Sequence, residues 1–179
     1  MNGPSPTSRY DGTIEPTADG GVIRFERQLA FPIRDVWDAI TNPARLAEWW
    51  LPFDADITVD LREGGLMVMT ATGDEPMTMT CTILRVEPPM LLEHAHVDPG
   101  SFMRWELESV DDGCVLRLSH FVPDAATAIG NGYVVGLDQS LGRLAPCLAG
   151  RPIAWDWDDL ALAQAHYAAL GLAAAPNDA

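Results

Sequence analysis

Residues 132–150, GYVVGLDQSLGRLAPCLAG, hold the apolar pattern that decides the fold. The large apolar side chains recur every three or four residues and so lie along one stripe of a long α-helix: Tyr133, Leu137, Leu141, Leu144 and Leu148. Gly150 is typical of a helix C-terminus, and Pro146 predicts a kink or an early end inside the pattern. A helix with one apolar stripe must bury that stripe against another element.

That other element is predicted by residues 54–123, where apolar and polar residues alternate as they do in β-strands. Clusters of glycine, proline and aspartate divide the region into short segments, at residues 64–65, 73–74, 88–89, 98–100 and 111–113. Together with a strand over residues 22–29, these segments predict about seven strands. Because the connections are short, we expect neighbouring strands to run antiparallel.

Two short helices are predicted between the first strand and the rest of the sheet. The first is indicated by apolar residues at helical spacing, namely Ile33, Val36, Trp37 and Ile40. The second begins where Asn42 caps and Pro43 takes the first helical position, and it continues to Trp50.

The order of these elements predicts an α+β helix-grip fold, a curved antiparallel sheet of about seven strands wrapped around the long C-terminal helix. We expect this domain to occupy residues 21–150. Residues 1–20 contain few large apolar residues, so we expect a flexible N-terminal arm. Residues 151–179 are expected to form a C-terminal helical extension, with a helix over residues 157–170 that begins near Asp156 or Asp158.

The charge of the chain limits the classes of partner that it can bind. The sequence contains 11 arginines, no lysine and 26 acidic residues, which gives a formal net charge of −15. This charge repels nucleic acid and anionic membrane surfaces, and a chain without lysine forms no Schiff base. No apolar run approaches the ~20 residues of a membrane span, and residues 1–21 lack the apolar core of a secretion signal. We therefore expect an acidic cytoplasmic protein that neither binds nucleic acid nor inserts into a membrane.

Several motifs resemble those of one family in the same order along residues 20–150. They are VWDAITNP at 36–43, EWW at 48–50, REGG at 62–65, VEPP at 86–89, LRLSH at 116–120, and the helix at 132–150. In these motifs the chain is similar to the START-like (SRPBCC) superfamily, in the branch named after homologues of the heat-shock protein 90 ATPase activator. Two features depart from the family pattern, because Tyr133 stands where tryptophan is common and residues 151–179 extend past the usual end.

The resemblance implies a cavity between the sheet and the C-terminal helix that holds a small hydrophobic or amphipathic molecule, without a cofactor. We therefore expect a non-enzymatic or weakly enzymatic carrier of a small apolar ligand. Two alternatives stay open, since some members of the superfamily are polyketide cyclases or aromatases and the eponymous branch stimulates a chaperone ATPase. A chaperone is therefore one candidate partner, and a homodimer is one candidate assembly.

Alternation along the strands and the family pattern indicate which side chains point into such a cavity. The predicted ligand-binding residues are Trp37, Trp49, Trp50, Met67, Met69, Met79, Met103, Trp105, Leu107, Leu118, His120, Tyr133, Gly136 and Leu137. The alternative is that these residues only fill a core. A glycine inside a helix lowers stability, so Gly136 is expected to leave room for the ligand or for the ring of Trp49 or Trp105.

The sequence contains no recognisable catalytic motif, and it offers only a few candidate catalytic residues. The segment 90–97 places either His94 and His96 or Glu93 on the inner face, with His120 on a neighbouring strand. These four residues are the only acid–base candidates that the pattern offers. The spacing of the histidines, and of Cys81, Cys114 and Cys147, completes no metal-ligand set or disulfide framework, so we expect no metal site.

Overall fold

The computed structural model describes residues 10–74 and 76–176, which form eight β-strands and five α-helices. The strands are β1 (Thr13–Thr17), β2 (Gly20–Leu29), β3 (Ala55–Val59), β4 (Leu66–Ala71), β5 (Thr78–Glu87), β6 (Leu91–Ala95), β7 (Phe102–Val110) and β8 (Gly113–Val122). The helices are α1 (Ile33–Thr41), α2 (Pro43–Trp49), α3 (Ala125–Gly130), α4 (Tyr133–Leu148) and α5 (Trp157–Ala169). Residues 1–9 of the predicted arm and 177–179 of the predicted extension lie outside the described residues.

The strands form a single antiparallel sheet in the order β1-β2-β8-β7-β6-β5-β4-β3. Helix α4 covers the inner face of this sheet and buries its apolar stripe, including Leu137, Leu141 and Leu144. One hydrophobic cluster joins these side chains to inward residues of the sheet such as Leu116 and Leu118. The predicted helix-grip fold is confirmed, and α4 has the predicted bounds with Pro146 inside the helix.

Helices α1 and α2 also lie where the sequence predicts them. The side chain of Asn42 accepts a hydrogen bond from the backbone N–H of Ala44 at 3.0 Å, so it caps α2 as expected. Trp49 is fully buried near the end of α2, and its indole N–H donates to the carbonyl of Ala39 in α1 at 2.9 Å. This hydrogen bond links the two short helices.

Two elements were not predicted. Strand β1 lies within the predicted flexible arm and pairs with β2 through a turn at residues 18–19. It carries a single large apolar residue, Ile14, and Pro16 is compatible with a strand only at a sheet edge, so alternation could not reveal it. Helix α3 is capped by Asp124, but half of its six residues are alanine and only one is a large apolar residue, which leaves no apolar stripe to detect.

The C-terminal residues pack back on the domain. Helix α5 begins after its cap, Asp156, and buries Ala163 and Tyr167. The three cysteines are free and buried. In the described part of the chain, no helix is both long and apolar enough to cross a membrane.

Candidate ligand-binding pocket

A pocket of about 420 Å³ opens between the inner face of the sheet, helix α4 and the C-terminal residues. Its volume lies within the range of small-molecule sites, roughly 300–1,000 Å³. Its lining is mainly apolar and consists of Trp50, Leu51, Pro52, Met69, Met79, His94, His96, Val97, Met103, His120, Asn131, Gly132, Tyr133, Val135, Gly136, Leu137, Ser140, Trp155, Leu160 and Gln164. Among these described lining residues there is no arginine, aspartate or glutamate.

Three methionines from three strands form much of the sheet side of the pocket. Met69 and Met79 are directly paired across β4 and β5, and Met103 lies on β7. Trp50 closes the wall after α2, with its ring 5.4 Å from that of Trp105. Because methionine side chains are flexible and polarisable, this wall can adapt to apolar molecules of different shape.

A polar patch stands beside this apolar wall. The rings of His96 and His120 lie 4.6 Å apart, and both lie within 5.6 Å of the ring of Tyr133. The Tyr133 hydroxyl donates a hydrogen bond to the carboxylate of Asp98. The Nδ1 atom of His96 lies 3.5 Å from the same carboxylate. The patch therefore combines two imidazoles and a phenol above one carboxylate.

Burial keeps the histidines of the patch neutral. Nε2 of His120 lies 2.7 Å from the hydroxyl of Ser101, and desolvation lowers the pKa of His120 to about 3. Desolvation also lowers the pKa of His96, although the nearby Asp98 opposes it. Among the described residues, no hydrogen-bond partner reaches Nδ1 of His120, and the contact of Nδ1 of His96 is the one to Asp98.

His94 also lines the pocket, but its two nitrogens are occupied. Nδ1 lies 2.9 Å from the carbonyl of Ala95, and Nε2 accepts from the indole of Trp105 at 3.1 Å. Burial lowers the pKa of His94 to about 4. A proton acceptor needs a free nitrogen that faces the substrate, so this geometry disfavours His94 among the catalytic candidates.

Glu93, another catalytic candidate, does not line the pocket. Its carboxylate pairs with Arg104 on the neighbouring strand, away from the pocket lining. The sequence left open which face of residues 90–97 points inward, and the structure turns Leu92 and His94 into the interior. The inner face of this segment thus supplies histidines and no carboxylate.

The structure brings eight of the predicted ligand-binding residues to the pocket. These are Trp50, Met69, Met79, Met103, His120, Tyr133, Gly136 and Leu137. The other six point inward but lie outside the pocket lining, and they are Trp37, Trp49, Met67, Trp105, Leu107 and Leu118. Alternation identifies the inner face of a strand, but it does not distinguish positions at the pocket from positions under α1 and α4.

Gly136 lines the pocket, but it does not make room for a tryptophan ring, which was one of the two predicted reasons for a glycine here. A Cβ atom at this position would meet no heavy atom within 4 Å beyond its own helix and chain neighbours. The rings of Trp49 and Trp105 therefore do not occupy the space beside it. That space belongs to the pocket.

Sequence reasoning missed several lining residues. Trp155, Leu160 and Gln164 come from the C-terminal extension, and Asn131 and Gly132 from the turn before α4. Neither segment alternates or carries a recognisable apolar stripe, so the sequence held no signal for their placement. Within residues 10–74 and 76–176, no three or more His, Cys, Asp or Glu side chains are grouped to hold a metal ion.

Comparison with known proteins places the chain in one family. Residues 30–149 match the family described as Activator of Hsp90 ATPase homolog 1-like protein. Comparison with curated proteins gives no match.

Several solved structures share the fold. CalU16 from Micromonospora echinospora is 26% identical, with a TM-score of 0.63 over 89% of this chain and 94% of that chain. A protein from Chromobacterium violaceum is 26% identical, with a TM-score of 0.58 over 69% of this chain and 94% of that chain. A conserved protein of unknown function from Enterococcus faecalis is 18% identical, with a TM-score of 0.70 over 89% of each chain.

Proposed function

The chain belongs to the family of Activator of Hsp90 ATPase homolog 1-like proteins, and from this premise we propose that it binds a small, uncharged, mainly apolar molecule in the pocket. The observation that carries the proposal is the lining of that pocket, which is apolar apart from neutral hydrogen-bonding groups. The apolar part of the ligand packs against the methionine wall of Met69, Met79 and Met103.

The absence of charge in the lining favours a neutral ligand. A carboxylate or sulfonate would enter a low-dielectric site without a cationic partner, in a chain of formal net charge −15. The histidines offer no positive charge near pH 7, since burial lowers the pKa of His94 to about 4 and that of His120 to about 3. A hydroxyl or carbonyl group near His96 and Tyr133 meets hydrogen-bonding partners without this cost.

Two fluorescent probes with one skeleton test the proposal. N-phenyl-1-naphthylamine is neutral, and 8-anilino-1-naphthalenesulfonate carries an added sulfonate. We expect the neutral probe to bind with a Kd at least about tenfold lower, a difference of about 1.4 kcal/mol. Quenching of tryptophan fluorescence, to which Trp50 in the pocket wall contributes, gives a second reading of the same event.

A matched pair of variants locates the bound probe. Met79 lines the pocket, whereas Met77 lies two residues earlier and is 51% exposed. Met79→Trp should fill the pocket and weaken binding of the neutral probe, while Met77→Trp should leave it unchanged. Equal binding of both probes, or equal effects of both variants, would contradict the proposal.

A second candidate is an enzyme that moves a proton, of the polyketide cyclase or aromatase type. It is favoured by one observation, the position of the Asp98 carboxylate beside both His96 and the Tyr133 hydroxyl. In such an enzyme His96 accepts the proton and Asp98 stabilises the imidazolium. His96→Ala would then abolish turnover and retain ligand affinity, whereas a pure carrier has no turnover to lose.

The remaining expectations of the sequence stay predictions. They are a cytoplasmic location, a homodimer, a chaperone ATPase as partner, and the division of the chain at residues 20 and 150.

A further inference from the structure

The C-terminal segment contributes a wall to the pocket although it lies beyond the residues that match the family. The match ends at residue 149, and Trp155, Leu160 and Gln164 all line the pocket. The rest of the lining comes from within or immediately beside the helix-grip elements. The pocket of this chain is therefore completed by a segment that the family pattern does not supply.

This wall is held in place by hydrogen bonds to the rest of the domain. The Tyr167 hydroxyl is fully buried and accepts a hydrogen bond from the backbone N–H of Gly12 at 2.8 Å. The side chain of Gln139 on α4 donates to Asp159 on α5 at 2.8 Å. The guanidinium of Arg143 donates to the carbonyl of Ile153 at 2.9 Å. Three anchors at different points along the segment make it a fixed part of the domain.

Trp155 is one of the three residues that form this wall of the pocket. Its ring lies 5.8 Å from the guanidinium carbon of Arg143, which holds the indole from one side. Its Nε1 is buried and has no hydrogen-bond partner in the described part of the chain. Because this N–H has no accessible surface, the pocket meets the carbon atoms of the indole, which keeps this wall apolar.

We propose that Trp155 and Leu160 are specificity-determining residues, which set the length of the molecule that the pocket accepts. This inference rests on the function proposed above and adds the part of the chain that selects the ligand. A rigid apolar wall excludes a ligand whose alkyl chain is too long. A ligand that just reaches the wall gains the most apolar contact and therefore binds most tightly. The wall therefore makes affinity depend on ligand length.

A series of neutral 1-alkanols, from hexanol to dodecanol, tests the inference by displacing bound N-phenyl-1-naphthylamine from the full chain. We expect affinity to rise with chain length and then to stop rising. In Trp155→Ala and Leu160→Ala the rise should continue to longer alcohols, by about fourfold in Kd for each methylene that newly fits. The shortest alcohols should bind more weakly to the same variants, and a merely destabilised protein would not show these opposite changes.

Helix α5, which carries Leu160, offers a matched control. Leu162 is 62% exposed and lies outside the pocket lining, so Leu162→Ala should keep the length limit of the unmodified protein. An unchanged limit in Trp155→Ala and Leu160→Ala, with probe binding intact, would overturn this inference and leave the proposed function standing. Failure of the unmodified protein to bind the neutral probe would overturn both.

Discussion

The indole Nε1 of Trp105 donates a hydrogen bond to Nε2 of His94 across 3.1 Å, between the neighbouring strands β7 and β6. Because Nε2 accepts, the proton of the neutral imidazole must lie on Nδ1, which donates to the carbonyl of Ala95 at 2.9 Å. A second proton on the ring would break the bond to Trp105 inside a desolvated interior. Burial accordingly lowers the pKa of His94 from its usual 6.5 to about 4.

This pKa predicts a loss of stability in acid. The unfolded chain binds a proton at His94 below pH 6.5, whereas the folded chain does so only near pH 4. The contribution of neutral His94 is therefore fully present above pH 6.5 and is lost as the pH falls to about 4. From the size of the shift, the loss is about 3 kcal/mol of unfolding free energy.

The variant His94→Gln isolates this contribution, because glutamine is polar and does not titrate. Urea unfolding of the two proteins at pH 7 and pH 4.5 should show a stability difference that shrinks in acid. Desolvation, the main cause of the low pKa of His120, is the same in both proteins, so most of the contribution of His120 cancels from the comparison. A difference that stays constant between the two pH values would refute the assignment.

A second prediction concerns the anchor of the C-terminal helix. Tyr167→Phe removes the acceptor for the buried backbone N–H of Gly12, which lies 2.8 Å from the hydroxyl. A buried donor without a partner costs about 2 kcal/mol, and urea unfolding should show a loss of that size. Trp157→Phe on the exposed face of the same helix should change stability by less than about 0.5 kcal/mol.

A third prediction concerns Arg143, whose guanidinium joins α4 to the end of α2. It donates to the carbonyls of Glu48, Trp49 and Leu51 at distances between 2.7 and 3.1 Å. Arg143→Gln cannot reproduce this set of hydrogen bonds, so we expect a loss of about 3 kcal/mol in the free energy of unfolding. The exposed Arg34 on α1 offers the control, and Arg34→Gln should leave thermal unfolding nearly unchanged.

The fold was predictable because its main elements carry strong local patterns. The stripe of leucines on α4 and the turn residues between the strands each indicate one structure, and the structure agrees with both. Strand β1 escaped prediction because an edge strand needs little apolar surface, as its one large apolar residue, Ile14, illustrates. The local pattern thus reports burial, and elements with little burial leave no trace in it.

The pocket was harder to predict than the fold. Met69 and Trp105 both face inward, yet only Met69 lines the pocket, while the ring of Trp105 packs against the rings of Trp49 and Trp50. Trp155 follows the last residue that matches the family, in a segment without periodicity. Positions of this kind depend on how distant segments meet, which alternation along a single strand does not encode.

The last prediction uses Gly136, which faces the open space of the pocket from helix α4. Gly136→Leu places a side chain in that space, so it should weaken binding of N-phenyl-1-naphthylamine by about tenfold or more. The same substitution should stabilise the helix by up to about 1 kcal/mol, because glycine is a poor helix former. Binding and stability are thus expected to change in opposite directions.

Gly142 on the same helix provides the matched control for this prediction. It is exposed and lies outside the pocket lining, and a Cβ atom there also meets nothing within 4 Å. Gly142→Leu should therefore bring a similar gain in stability while the Kd of the probe stays the same. If Gly136→Leu bound the probe as tightly as Gly142→Leu does, the space beside Gly136 would not be part of the binding site.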